Sequence, residues 1–285
     1  MEYFVPTRLE DAVNILQYGG QDGVAIVAGA TDWFPGRGEK PLQQPVLDIT
    51  KIIELQGIAR APQGWRIGAA VTWSDVMTAD LPKCFNGLKA AAREVGSVQI
   101  QNVGTLAGNL CNASPAADGM PPLLTLDASV ELASPAGIRV VPLSDFVLGV
   151  RQTALRPAEL VSAILLPEVS ETATGSFIKI GARKYLVISI TMVAALISVV
   201  NERIIEARVA VGACSAVAQR VPLLEAALLG CGVADAVDQI HPAHLEQLSP
   251  ISDMRGSAQY RGEAALELCR RAVAGALQDG ARCNG

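Results

Sequence analysis

Histidine is nearly absent from this 285-residue sequence: His241 and His244, inside the run HPAH, are the two it has. A three-histidine zinc site is excluded, and a histidine-dependent nucleophile triad would have to draw on this pair. The run offers them a plainer place, a loop leading into a helix with Pro242 in its first turn. Cysteine is present but scattered, at 84, 111, 214, 231, 269 and 283. No two lie at the spacing of a zinc knuckle or an iron–sulfur motif, and such scatter suits a reducing, cytoplasmic compartment. Runs of lysine or arginine are missing too. With 23 basic against 28 acidic residues and a formal charge of −5, the chain lacks the concentrated basic face of a nucleic-acid binder and any polybasic membrane patch. Its most apolar stretch, Leu186 to Val200, is interrupted by Ser189, Thr191 and Ser198 and falls short of the roughly 20 residues of a membrane helix. It reads as a buried strand region. The opening MEYFVPTRLEDA has an early acid and no apolar core, unlike a signal peptide. A soluble, globular, cytoplasmic protein with no membrane span is expected.

Half of the residues are apolar, enough for a sizeable core, and the length suits two domains. Thr7-Arg8-Leu9-Glu10 has the form of a capping box, with Leu9, Val13 and Leu16 following at near-helical spacing and Gly19-Gly20 as the stop. Val24 to Val27 and Pro45 to Ile49 read as strands, which makes the opening a β-α-β-like unit. APQG between Ile58–Arg60 and Trp65–Ile67, and SPAG between Ser129–Ala133 and Ile138–Val141, have the chemistry of hairpin turns. Thr72 to Asp75 caps a short helix, and Leu88 to Val95 is helical. Residues 95–122 are dense in small and turn-forming residues, and a stretch with so little helix or strand character is usually functional. Pro157 to Pro167 closes the first half. Phe177–Ile180, Ile188–Val200 and Ile204–Gly212 are strand-like, with Asn201-Glu202 as a turn. After Gln219 the chain reads as helical, ending in a segment from about Gly256 to Leu277. A boundary falls at EVSETATG, dividing the chain into 1–170 and 171–285.

Two loops carry the chemistry. Ala28-Gly29-Ala30-Thr31-Asp32 follows a strand, and Gly104-Thr105-Leu106-Ala107-Gly108-Asn109 lies in the small-residue stretch. Residues without bulk let backbone N–H groups approach a diphosphate, while Thr and Asn donate from the flanks. Neither loop is G-x-G-x-x-G or a Walker sequence, so a Rossmann or P-loop site is not supported. Each alone could be an ordinary tight turn; two together favour a nucleotide. Asp118, in ASPAADG, could accept from ribityl or ribose hydroxyls or a ring N–H, or could cap a helix.

AGATDW after a strand, REVGSVQIQNVGTLAGNLCNASPAADGMPPLL and RQTALRPAELVSAILLP resemble the FAD-binding medium subunit of the molybdenum hydroxylases, a family that includes xanthine and carbon monoxide dehydrogenases. FIKIGARK, ARVAVGACSAVAQR and PISDMRGSAQYR resemble the same family's C-terminal domain, and the likeness runs from about residue 2 to 280. It implies an α+β protein: a two-subdomain FAD-binding domain of the vanillyl-alcohol-oxidase type, then a small three-stranded antiparallel sheet with a helical bundle. It also implies FAD as cofactor. Ile26, Val27, Ala28, Gly29, Ala30, Thr31, Asp32 and Trp33 would wrap its diphosphate, with Gly104, Thr105, Ala107, Gly108 and Asn109 on the other side. Asp118 would bind the cofactor, Lys179 would lie near the flavin, Val161 would meet the adenine end through its backbone, and Ile188 and Val95 would face the isoalloxazine ring. Read without the family, Lys179 is a strand-edge lysine, and Ile188 and Val95 are core. Ala30 and Ala107 stand where the family usually has glycine; a methyl there is tolerable at negative φ and costly at positive φ.

The resemblance further implies partners: a large subunit with a molybdopterin cofactor and a small subunit with two [2Fe–2S] clusters, in a heterotrimer or a dimer of heterotrimers. Electrons would leave through this chain's FAD to NAD or another acceptor. Mean hydropathy is +0.32, high for a chain with few aromatics. Partner subunits covering apolar surface would account for it, and so would abundant Ala and Val. A stand-alone flavoprotein reductase or oxidase of the same fold, and a scaffold subunit without cofactor, are the other readings; flavin content separates them.

Overall fold

A computed structural model describes residues 2–18, 23–39, 41–184 and 186–281; Gly19-Gly20, read as a helix stop, and Cys283 lie outside them. Among the described residues the strands form three sheets and one short ribbon. The first sheet is small and parallel, in the order β1 (Tyr3–Phe4), β3 (Val46–Asp48), β2 (Ala25–Val27). Between β1 and β2 runs α1 (Leu9–Tyr18). Its Ala12 is buried, with Leu9, Val13 and Leu16 packed against the main core, as the 3.6-residue spacing requires. The free amide of Leu9 is met by Glu54, 3.3 Å away, which also bonds Arg8. A distant acid thus helps hold the helix start that the local TRLE sequence suggests.

After β2 the chain turns into α2 (Trp33–Arg37). The second sheet is antiparallel, built around the two hairpins: β4 (Ile58–Ala61) with β5 (Gly64–Gly68), and β6 (Ser129–Ser134) with β7 (Gly137–Pro142). Between them lies β10 (Leu160–Pro167), paired with β5 on one side and β6 on the other. Six of its eight residues are buried from Leu160 onward, so its apolar run is continuous rather than alternating. Between the hairpins come α3 (Trp73–Thr78), α4 (Asn86–Glu94), α5 (Val98–Gln101), α6 (Leu106–Asn112) and α7 (Met120–Thr125). The capping box at Thr72 forms with Asp75 as read. Residues 95–122, read as poor in helix, are largely short helices. Thr105 caps α6 through the Gly108 amide, and Pro121-Pro122 sit in the first turn of α7, where a missing N–H costs nothing. Then α8 (Leu143–Phe146) leads into a ribbon of β8 (Val147–Gly149) and β9 (Gln152–Thr153).

The third sheet takes its strands in chain order: β11 (Ala173–Ile180), β12 (Thr191–Val200), β13 (Arg203–Gly212) and β14 (Gln219–Arg220). It has four strands where three were expected, because two residues after Ala218 pair with Ala210 and Val211. Asn201 and Glu202 both take positive φ, 50° and 59°, the geometry of a type I′ turn. Both faces of the sheet are covered. Val193, Ala195, Ile197, Val209 and Val211 face a second core, while Leu196 and Ala210 face the first.

The second core is closed by α9 (Pro222–Leu228) and by α10 (Ala258–Ala281). Ala265, Leu268, Cys269, Ala272, Val273 and Ala276 of α10 recur at three- and four-residue steps, and all are buried. The helical part consists of α10, α9 and the 3-10 turns between them. HPAH forms one such turn, Pro242–Leu245, in which the His241 amide donates to His244 Nδ1 at 3.3 Å.

The two cores meet along a seam of backbone. A β-carbon on Gly175 of β11 would lie 2.4 Å from the Cys84 carbonyl oxygen and 3.0 Å from the Gly87 nitrogen. One on Gly87 of α4 would lie 2.7 Å from the Ser176 carbonyl oxygen. Helix and strand approach this closely because neither carries a side chain there. Gly175→Ala is expected to destabilise the fold by about 2 kcal/mol through overpacking, read as a lower urea midpoint. An unchanged midpoint would mean that the seam is loose.

Candidate functional site

The loop after β2 and the turn before α6 touch through their backbones. A β-carbon on Gly29 would sit 1.9 Å from the Val103 carbonyl oxygen and 2.8 Å from the Gly104 Cα. The second loop is pinned from behind: Trp73 N–H donates to the Gly104 carbonyl at 3.1 Å and Leu106 N–H to that of Val71 at 3.1 Å. Thr72 and Thr105 form an isolated bridge between these two donors. In the first loop, the amides of Gly29, Ala30 and Thr31 meet no protein acceptor among the described residues. Backbone donors left unpaired on a residue-poor loop suit an anion.

Ala30 holds φ at 54°, in the left-handed region. An L-residue pays about 1–2 kcal/mol there, a cost that glycine escapes. This departure from the family's glycine therefore falls on the costly side. Ala107 falls on the other, inside α6 and buried. Val27 lies in a small cluster with Ala25 and Val46, against which Ala30, Trp33 and Leu42 pack; Ile26 packs on the main core. Trp33 stands edge-on to Phe34 with the Arg37 guanidinium 4.9 Å from its ring, so it braces the loop. Asp32 is exposed at the α2 N-cap without a side-chain capping bond.

From the second loop the chain of contacts runs inward. Asn109 Oδ1 accepts from the Gly119 amide at 3.1 Å, tying α6 to the turn that carries Asp118. Asp118 is 8% exposed. Its Oδ2 accepts from Lys179 Nζ at 2.8 Å and its Oδ1 from Ser189 Oγ at 2.7 Å. The Asp118 side chain therefore caps no helix; the N-cap of α7 is Gly119, with no side-chain cap. Lys179, read as a strand-edge lysine, is buried too, with 4% of its side chain exposed. It also donates to the Glu94 carbonyl at 3.0 Å. Among the described residues two of its three N–H donors have partners. Burial pushes the Asp118 carboxyl above its ordinary range, against the opposing pull of Lys179 and the Ser189 hydroxyl.

Val95 and Ile188 flank this centre, each next in sequence to a partner of the pair, Glu94 and Ser189. Val95 is half-buried, its carbonyl held by Gln101 Nε2 at 2.9 Å. Ile188 is 54% exposed, so the reading of it as core is corrected: it offers an apolar face outward. Val161 stands apart, buried in β10 opposite Leu132 beside a bulge, with α6 packed against its strand. Ser189, Glu94 and Gln101 escaped the sequence reading. Ser189 left a signal, one of three hydroxyls interrupting the apolar run 186–200, since a buried hydroxyl needs a partner.

Two backbone-lined loops leading to a buried Lys–Asp pair define a cofactor-binding α+β protein. Comparison with known proteins agrees. The FAD binding domain in molybdopterin dehydrogenase matches residues 1–169, and the CO dehydrogenase flavoprotein C-terminal domain matches residues 176–276. The nicotinate dehydrogenase FAD-subunit of Eubacterium barkeri is 36% identical over 196 residues, 66% of each chain. The nicotine 6-hydroxylase medium subunit of Paenarthrobacter nicotinovorans is 30% identical over 287 residues, 99% of this chain and 98% of the relative. The structure of reconstituted CO dehydrogenase from Oligotropha carboxidovorans superposes with a TM-score of 0.89 at 25% identity, covering 98% of both chains. The chain belongs to the FAD-binding medium subunits of the molybdenum hydroxylase family. It is an oxidoreductase subunit whose cofactor is FAD.

Removing the cation from the buried pair gives a direct test of the site's electrostatics. In Lys179→Met the folded state keeps a proton on Asp118 that the unfolded chain releases. Stability then falls as pH rises above the ordinary aspartate range. The gap from wild type is expected to widen from acid to neutral pH, reaching about 3 kcal/mol. Urea titrations at several pH values would measure it, and a gap constant with pH would mean that the two side chains are not coupled.

Proposed function

We propose that this chain is the electron-relay station of a heteromeric molybdenum hydroxylase. It would take electrons from the [2Fe–2S] clusters of a small subunit while a large molybdopterin subunit hydroxylates a purine, N-heterocycle, aldehyde or similar small substrate. NAD or another acceptor would receive them. The observation that carries this reading is the contact of the two loops, the first with three amides unpaired among the described residues, in a chain that belongs to the FAD-binding medium subunits. Its scattered cysteines support the division of labour. Among the described residues no group of three or more His, Cys, Asp or Glu comes together to hold a metal.

When bound, FAD would supply one- and two-electron redox chemistry; the protein supplies position and electrostatics. The amides of Gly29, Ala30 and Thr31 hold the diphosphate from one side, and Gly104, Thr105, Ala107, Gly108 and Asn109 line the other. The remaining residues of the first loop, Ile26 to Ala28, Asp32 and Trp33, shape and brace it. Val161 lends its backbone toward the adenine end. Val95 and Ile188 provide apolar surfaces for the ring system, which fits the outward face of Ile188. Asp118 takes part in holding the cofactor. Lys179 would place positive charge beside the flavin, where a cation would stabilise added negative charge. No side chain need act as general acid or base.

The protein purified with its neighbouring subunits is expected to show flavin and iron–sulfur absorbance in one fraction. Denaturation should release FAD at about one per chain. Flavin without any iron–sulfur partner would favour a stand-alone flavoenzyme, and no flavin even with excess FAD would leave only a scaffold.

The charge at Lys179 has its own readout. Lys179→Met is expected to lower the reduction potential of bound flavin, because the negative charge of reduction would lose the cation proposed beside it. Spectroelectrochemical titration measures this, and an unchanged potential would remove Lys179 from the tuning of the cofactor.

A further inference from the structure

The run PISDMRGSAQYR supplies a residue that the site has not yet used. Arg261, one turn into α10, is 3% exposed. Its guanidinium makes three contacts. Nη1 donates to the carbonyl of Ile190, and at 3.1 Å to that of Ala213. Nη2 pairs with Asp253 Oδ1 at 2.8 Å. Asp253 is in turn held by the Arg255 amide and guanidinium. These bonds hold its carboxyl down at about 2. Nε of Arg261 is buried without a partner among the described residues.

The two carbonyls lead to one place. Ile190 follows Ser189, whose hydroxyl bonds Asp118 Oδ1 at 2.7 Å. The amide of Ala213 donates to the Pro115 carbonyl at 3.0 Å, three residues before Asp118. Ala213 holds that position at a φ of 62°, a left-handed conformation that alanine adopts only when its surroundings fix it. Arg261 therefore grips the start of β12 and the end of β13 at once. Both grips reach Asp118, one through its side-chain partner and one through its own loop. A buried guanidinium is costly to desolvate, and a residue needed only to fill the seam between α10 and the sheet could be aliphatic.

We propose that Arg261, oriented by Asp253, is the positioning residue of the Asp118–Lys179 pair and so sets the geometry this chain presents to the flavin. The inference rests on the flavin reading for its consequence, but its first link is a property of the protein alone. The planar fork can hold two carbonyls and a carboxylate together; the single point of a lysine ammonium cannot match that fork.

The experiment uses the whole complex carrying Arg261→Met, Arg261→Lys, Asp253→Asn and Ser189→Ala, singly, and Arg261→Met with Ser189→Ala. Arg261→Met is expected to raise the FAD dissociation constant about tenfold or more, the scale of one lost buried hydrogen bond. It should shift the flavin reduction potential in the same sense as Ser189→Ala, with the double variant shifted no further than the larger single change. Arg261→Lys should recover part of the affinity, and Asp253→Asn should show a weaker form of the Arg261→Met change. A flavin-free readout stands beside these: amide exchange at Ala213 and Ile190 should quicken in flavin-stripped Arg261→Lys, while the centre of β12 stays protected. Affinity and potential unchanged in every Arg261 variant, or shifts that add in the double variant, would overturn the proposal. Should Arg261→Met fail to fold, Arg261→Lys and Asp253→Asn decide it. Should the wild-type complex hold no flavin, the relay reading falls, and the exchange rates alone decide whether Arg261 fixes the loop.

Discussion

A buried ion pair joins the two cores at the point where chemistry is expected. Asp118 belongs to the turn before α7, Lys179 to β11, and neither has enough water around it to stand alone. Each additional contact reads as compensation for that burial. Ser189 supplies a hydroxyl to the carboxylate, and Glu94 supplies a carbonyl to the ammonium. The chain is thereby drawn together from α4, from the 114–118 loop, and from both ends of the segment linking β11 to β12. A pair of this kind contributes little net stability. Removing either partner would leave the other charge buried and uncompensated.

A second clamp lies on the far side of α7. Arg208 donates to the Thr125 carbonyl at 3.2 Å and pairs with Asp127 at 2.9 Å. Arg220 reaches the other oxygen of Asp127 at 2.7 Å and also pairs with Glu225. Asp127 sits just past the end of α7 at a φ of 50°. The helix that begins beside the site is therefore tied at its other end to β13, β14 and α9. Cations at the last turn also suit the helix dipole.

Much of the fold was legible where local chemistry decides. The hairpins at APQG and SPAG, the turn at Asn201-Glu202 and the capping box at Thr72 each announce themselves in a few neighbouring residues. Other features depend on distant partners. β1 and β14 are two residues each, too short for any periodicity and formed only because β3 and β13 offer free edges. Among the helices of residues 95–122, α6 contains Gly108, Asn109 and Asn112, and its start depends on Thr105 and on the bonds to Val71 and Trp73. At the site, the two loops were visible from their want of bulk. The partnership of Lys179 with Asp118 was not, because 61 residues separate them. Ala30 lay between the two cases: its sequence posed the question of φ, and its backbone answered it.

The glycine seam has a mechanical consequence. Where side chains separate two elements, they can change rotamer and let one surface slide over the other. At Gly87 and Gly175 main chain rests on main chain, and main chain has no rotamers to give. The interface can be prised open as a whole, but it has no smooth path for creep. Anything seated between the loops and β11 is therefore held on a bench with a fixed length, and a distance set on one side of that bench is kept on the other.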